Sequence, residues 1–215
     1  MNMFITFEGL DFCGKSTQVQ LLEKYLIEKG NRVKIIREPG GTNISEKIRD
    51  VLLDKKNSEM SPETELILFA GSRSQLVHEI ILPAVKNNIY VLSDRFHDSS
   101  IAYQAFGRKL DLDFVVSLQK FVIGKAVPAL TFFIDIPVNE VVSRMSKVKK
   151  VELDRIESSQ LDFYERVREG YIFLAKQEER FRTIDGTLSI GQIHQQIVKE
   201  FELKESEKVS YANKK

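Results

Sequence analysis

Cysteine is almost missing: Cys13 stands alone in 215 residues, so no internal disulfide can form and a reducing compartment is expected. No apolar run reaches the roughly 20 residues that a membrane-spanning helix needs. The N-terminus has neither the basic start nor the apolar stretch of a signal peptide. Residues 3–7 are far too short and lead straight into a glycine turn. A cytoplasmic location is the expectation. Neither sign of charge is in excess: 32 Lys and Arg against 31 Asp and Glu give a formal charge of +1. No global field therefore points to nucleic acid or an anionic membrane as a partner, and attraction for anions must come from local clusters. Internal repeats and low-complexity blocks are absent too. What remains has the make-up of an ordinary globular protein, 42% hydrophobic and 29% charged. The length suits one domain, with or without a mobile lid, and buries a core unaided.

Short apolar runs at 3–7, 32–36, 89–93, 130–136 and 182–184 read as strands. They are apolar on consecutive residues, as in strands covered on both faces. Helical patterns lie between them, near 15–29, 43–54, 62–86, 111–125, 137–146, 157–180 and 189–203. Ser61 and Asp111 are placed to cap two of these, with Pro62 in the first turn after Ser61. The alternation predicts an α/β fold of three layers over residues 1–205: a five-stranded parallel sheet with helices on both faces. Ligands in such sheets sit beyond the carboxyl ends of the strands. Four chemically loaded segments, 9–17, 37–42, 94–104 and 144–168, follow strand ends. Residues 206–215 are polar without helical periodicity and are expected to be a disordered tail.

Gly9-Leu10-Asp11-Phe12-Cys13-Gly14-Lys15-Ser16 fits G-x-x-x-x-G-K-[ST]. Glycine at both ends lets the loop fold around an anion. Backbone N–H groups point inward, and the following helix adds its positive end. With Thr17, this segment is the expected cradle for the phosphates of ATP. Lys15 would reach the β- and γ-phosphates, and the Ser16 hydroxyl would join Mg²⁺. Chance would give such a match in on the order of one chain in two hundred of this length. Here it follows an apolar strand and opens an amphipathic helix, the context the motif requires. Cys13 reads as a small packing residue, since no partner for a redox or nucleophilic role is evident.

A phosphate loop alone does not separate kinase, ATPase and GTPase. No Asn-Lys-x-Asp segment, the usual guanine reader, is present. Arginines cluster near strand ends instead: Arg37, Arg49, Arg73 and Arg95. The planar guanidinium suits a phosphate, and an enzyme that sets a second phosphate beside ATP must offset much negative charge. Asp94, ending a strand, is placed to hold Mg²⁺ directly or through water. A nucleoside kinase would instead need a carboxylate base, for which Glu38 or Asp94 could serve. A switch protein would need no acceptor arginines.

Asp94-Arg95-Phe96-x-x-Ser99-Ser100-x-Ala102-Tyr103-Gln104 resembles the signature of the thymidylate kinase family. So do the segments at 4–11, Arg37-Glu38-Pro39-Gly40-Gly41-Thr42 with Arg49 behind it, Leu68-Phe69-Ala70-x-x-Arg73, and Asp154-Arg155-Ile156-Glu157. The matches run in order over about residues 4–186. The resemblance implies an ATP-dependent nucleoside monophosphate kinase that turns dTMP into dTDP for dTTP synthesis, with Mg²⁺, as a homodimer. It implies that Phe69 stacks on thymine, that Arg73 and Ser100 meet the base edge, and that Tyr103 excludes a 2′-hydroxyl. Asp11 would bind the 3′-hydroxyl or the metal shell. Arg95, with Arg37 or Arg49, would hold the acceptor phosphate, while Glu38, Ser99 and Gln104 complete the dTMP site. Phe12 stands where one branch of the family has arginine. The chain therefore resembles the bacterial branch that supplies its catalytic cation from a lid, about 144–157. Arg144, Lys147, Lys149, Lys150 and Arg155 are the candidates. Gly71-Ser72 replaces a more usual Ala-Asp ahead of Arg73.

Overall fold

The structure is a computed structural model that describes residues 3–147, 154–156 and 160–212, with 208–212 as backbone only. Its five strands, β1 (Phe4–Glu8), β2 (Val33–Arg37), β3 (Tyr90–Asp94), β4 (Leu130–Asp135) and β5 (Phe181–Asp185), form one parallel sheet in the order β2-β3-β1-β4-β5. β1, β3 and β4 are buried almost throughout, as consecutive apolar residues demand. The edge strands β2 and β5 expose residues such as Lys34 and Thr183, because an edge has a neighbour on one side only.

Successive residues of β1 point to opposite faces. Ile5 and Phe7 join a core with Leu22 and Leu26 of α1 (Lys15–Glu28) and Ile193 and Ile197 of α9 (Ile190–Ala212). Phe4 faces the other way, into a cluster with Leu76 of α3 (Pro62–Leu76), Ile123 of α6 (Leu112–Ile123) and Phe96. Three layers follow. Ser61 and Asp111 cap α3 and α6 as the sequence predicts, accepting from Thr64 N at 3.2 Å and Phe114 N at 2.7 Å. Thr42 does the same for α2 (Asn43–Leu53). The helical run 62–86 is continuous, but a π-helical turn at Val77–Ile81 precedes α4 (Leu82–Lys86). Pro83 has no N–H for the regular ladder, and the wider turn accommodates it.

Two elements depart from expectation. Residues 97–107 are helical, as α5 (His97–Ser100) and a π-helical continuation, Ile101–Gly107. This helix is buried on nearly every side, so it lacks the amphipathic stripe that betrays a helix. The expected disordered tail is corrected in part: α9 runs on to Ala212. Its Lys and Glu residues favour a helix, and Lys204 pairs with Glu207 one turn on. Residues 213–215 lie outside the described ones. The chain also forms α7 (Val138–Lys147) and α8 (Leu161–Gln177). Among the described residues no helix is long and apolar enough to cross a membrane.

Candidate active site

The loop after β1 is shaped by two glycines. Gly9 has φ +141°, and a Cβ there would stand 2.5 Å from the Ile134 carbonyl oxygen. Gly14, φ +100°, precedes the first residue of α1 in the left-handed region. Lys15 is buried, its Nζ donating to the carbonyls of Leu10 (2.7 Å) and Gly9 (3.1 Å). Ser16 and Thr17 are exposed at the helix start. Phe12 also takes the left-handed conformation, at φ +62°, a strained state for a bulky side chain. Cys13 is fully packed, with Sγ 3.6 Å from Lys15 Nζ, in keeping with a packing role.

Strand register brings the second motif alongside. Phe7 pairs with Asp94, Arg37 pairs with Asp94 from the other side, and Arg95 N–H donates to the Phe7 carbonyl at 2.9 Å. Three strand ends therefore finish together at the sheet's switch point. Ser16 Oγ lies 2.5 Å from Asp94 Oδ2. Arg95, at φ +70°, turns its guanidinium back over the loop. Its Nη2 meets Asp11 Oδ1 (2.5 Å) and the Tyr103 hydroxyl (3.0 Å), and Nη1 meets the Gly9 carbonyl (2.9 Å) and the Tyr171 hydroxyl (3.1 Å). Burial would raise the Asp11 pKa, but Arg95 and Lys15 outweigh it and hold the carboxyl below its usual value.

Beneath Arg95 sits Glu8, fully buried. It accepts from Phe96 N (2.8 Å), Ser99 Oγ (2.6 Å) and the Tyr171 hydroxyl (2.9 Å). Burial first, and the charge of Asp98 second, push its pKa up to about 7. Sequence reading missed Glu8 as a site residue. The only available signal is a carboxylate in an otherwise apolar strand end.

A cleft enclosing about 680 Å³, part of it open to solvent, lies beside this turn. Every residue the sequence assigns to dTMP lines it: Asp11, Glu38, Arg49, Phe69, Arg73, Arg95, Ser99, Ser100, Tyr103 and Gln104. Phe69 is half-buried with a face toward the core. Arg73 is the anchor of the wall, 1% exposed. Its N–H groups meet Glu38 Oε2 (2.7 Å from Nε), Ser100 Oγ (2.9 Å), Gln119 Oε1 (2.5 Å) and the Phe96 carbonyl (3.1 Å). Burial pushes the Glu38 pKa up despite the opposing pull of Arg73. Glu38 Oε1 has no partner among the described residues. Arg49 donates to the Pro39 carbonyl at 2.7 Å. Burial lowers its pKa, and the charge of Arg37 adds to that. Arg37 pairs with Glu46 at 3.2 Å and lines the cleft over the phosphate loop rather than this one.

A second, more open cleft of about 1120 Å³ lies over the phosphate loop. It is lined by Lys15, Ser16, Thr17, Asp94 and Arg144, and it shares Asp11, Glu38, Arg49 and Arg95 with the first. The two hollows are thus neighbouring chambers with a common charged wall. Ser16 and Asp94 offer hard oxygens, which suit a Mg²⁺ ion that keeps most of its shell for water and phosphate. Among the described residues no three His, Cys, Asp or Glu side chains gather into a cage.

The candidate cations separate. Arg144, on α7, lies against the phosphate loop: Nη1 is 3.3 Å from the Phe12 carbonyl and Nη2 donates to Gly186 O at 2.8 Å, while Glu140 braces Nε at 2.8 Å. Arg155 lies elsewhere, its Nε on the Leu52 carbonyl (2.9 Å) and its Nη2 2.7 Å from Glu65. Lys147 is exposed, and Lys149 and Lys150 lie outside the described residues.

A parallel sheet whose central turn holds a phosphate loop, beside a separate arginine-lined chamber for a second nucleotide, defines a P-loop nucleotide kinase. The sequence pattern of the family described as Thymidylate kinase matches residues 7–197, and this chain belongs to that family. It is similar to the thymidylate kinase of Kosmotoga olearia, 50% identical over 200 residues that cover 93% of this chain and 95% of that one. The thymidylate kinase of Thermosipho melanesiensis is 50% identical over 195 residues, covering 91% and 95%. The crystal structure of thymidylate kinase from Ehrlichia chaffeensis superposes with a TM-score of 0.76 at 34% identity, over 94% of this chain and 98% of that one.

Proposed function

We propose that the chain transfers the γ-phosphate of ATP to dTMP, giving ADP and dTDP. The observation that carries this reading is the shared wall. Asp11, Glu38, Arg49 and Arg95 face both chambers, so a monophosphate in one presents its phosphate to the triphosphate end in the other. The acceptor's second pKa is near 6, so it is largely dianionic at neutral pH and needs no general base. Repulsion between anions is the obstacle, and positioning with charge neutralisation removes it. Lys15 and Arg95 supply positive charge on the two sides. Arg144, braced against the loop, is the cation best placed to join them from the lid segment. Ser16 and Asp94 would hold Mg²⁺, which when bound neutralises the phosphate oxygens. Phe69 offers the flat face for thymine, Ser100 and Gln104 its polar edge, and Tyr103, fixed by Asp11 and Arg95, the floor beneath the sugar. Arg73 fixes Ser100 from behind and reaches the base by exchanging one of these bonds. Of the two carboxylates a nucleoside kinase could use as its base, Glu38 is tied through one oxygen to Arg73, and Asp94 accepts from Ser16. We assign the enzyme to the cytoplasm and to a homodimer through the face of α2, α3 and α6.

The test is a coupled ADP assay with ATP·Mg²⁺ and a panel of dTMP, dUMP, AMP and thymidine. Turnover should be highest with dTMP and absent with thymidine. ADP release that ignores the acceptor, or turnover of thymidine, would overturn the reading.

A further inference from the structure

Glu65 lies outside the reacting centre, at the start of α3, yet it is 1% exposed. A carboxylate so buried must be partnered. Its Oε1 accepts from Gln104 Nε2 at 2.9 Å and Arg108 Nε at 3.2 Å, and its Oε2 from Arg108 Nη2 at 3.1 Å. Arg155 Nη2 stands 2.7 Å from Oε2, a close charge contact off the hydrogen-bonding axis. Burial works to raise the Glu65 pKa, but Arg108, Gln104 and Arg155 outweigh it and hold the group below its usual value.

The partners come from separate stretches of chain. Gln104 belongs to the buried helix 97–107 and lines the acceptor cleft. Arg155 is clamped against the end of α2, with its N–H 3.4 Å from the Leu53 carbonyl and its Nε on Leu52 O. The residues on either side of it, Asp154 and Ile156, form part of the cleft wall. One carboxylate thus ties three elements around the acceptor without touching the cleft. Two opposing cations and an amide around it make the cluster sensitive to loss of the negative charge, since the arginines would then face each other.

We propose that Glu65 is a positioning residue for the acceptor: through Arg155 and Gln104 it sets the cleft wall at Asp154 and Ile156, and Arg155 serves this clamp rather than the transferred phosphate. The proposal rests on the reading of the cleft as the dTMP site.

Glu65→Gln keeps the shape and removes the charge. With it, KM for dTMP should rise about tenfold, while KM for ATP and kcat at saturating dTMP stay within about threefold of the parent. Arg155→Met, which keeps the stem, should show the same split, and the double variant should be less than additive, because both changes break one cluster. Should Glu65→Gln fail to fold, Arg155→Met carries the test alone. A fall in kcat of about a hundredfold in Arg155→Met with KM for dTMP unchanged would make Arg155 a transition-state cation and overturn the proposal. A lowered melting temperature with both KM values unchanged would reduce the cluster to a folding role and overturn it equally. Parent enzyme that turns over another monophosphate in preference to dTMP would instead fail the acceptor assignment. The same kinetic split is then read with that monophosphate.

Discussion

Arg95 is held in a left-handed turn by a carboxyl that the reaction never meets. Glu8 grips the N–H of Phe96 and the hydroxyl of Ser99, and so fixes the backbone from which the guanidinium reaches Asp11. Its pKa of about 7, against 4.5 for an ordinary glutamate, means that folding favours the protonated form. This contribution to stability is full below about pH 4.5 and is lost as pH rises through about 7, because the unfolded chain releases the proton first. Gln at position 8 can keep the Phe96 bond with its oxygen and donate to the Ser99 and Tyr171 hydroxyls, and it carries no titrating proton. Urea midpoints of Glu8→Gln and the parent should therefore converge near pH 5, with the variant ahead at pH 8. Parallel curves would remove Glu8 as the titrating group. Arg95→Lys keeps the charge but loses the planar fork, and kcat/KM for dTMP should drop about a hundredfold. An effect under about threefold would show that point charge suffices there. The residues that line the cleft beside the phosphate loop were readable because short motifs carry them. Their bonding was not, since Arg73's partners lie 23 to 46 positions away and no local pattern announces them.

Elements followed the same division. Strands and long helices declared themselves through apolar runs and through caps such as Ser61 and Asp111. Helix 97–107, which presents Ser99, Ser100, Tyr103 and Gln104, did not, because it is packed from all sides and has no polar face to set the period. Its position depends on how closely α8 approaches. A Cβ at Gly170 would lie 2.9 Å from Ala102 Cα and 2.9 Å from the Phe106 ring, so backbone, not just a flexible tip, stands in the way. Gly170→Ala should push α8 and this helix apart. The expected cost is about 1–3 kcal/mol of stability in urea unfolding, with a raised KM for dTMP. Unchanged values for both would mean the two helices separate freely without disturbing the cleft.

The molecule as a whole is nearly neutral, so attraction for anions rests on local cations, and Lys15, Arg37, Arg49, Arg95 and Arg144 line the phosphate-loop cleft. Part of its exposed apolar surface lies on three contacting helices. Phe121 is 86% exposed and Phe114 58% on α6, Ile67 59% on α3, and Ile44 and Val51 are exposed on α2. α2 packs on α3 and α3 on α6, so these residues belong to one three-helix face. Large aromatics exposed together mark an interaction surface. We propose a second copy of the chain as the occupant, since it would present the same chemistry in return through a two-fold contact of like faces. The fused helices also carry site residues inward, Phe69 and Arg73 from α3 and Gln119 from α6 behind Arg73. Pairing across this face would therefore stiffen the acceptor wall. Phe121→Glu places a charge at the most exposed point without touching the core. Sedimentation should show a dimer for the parent and a monomer for the variant, and the variant's KM for dTMP should rise more than its KM for ATP. A variant that sediments as a dimer would place the contact on another face, and a monomeric variant with both KM values unchanged would separate assembly from the site.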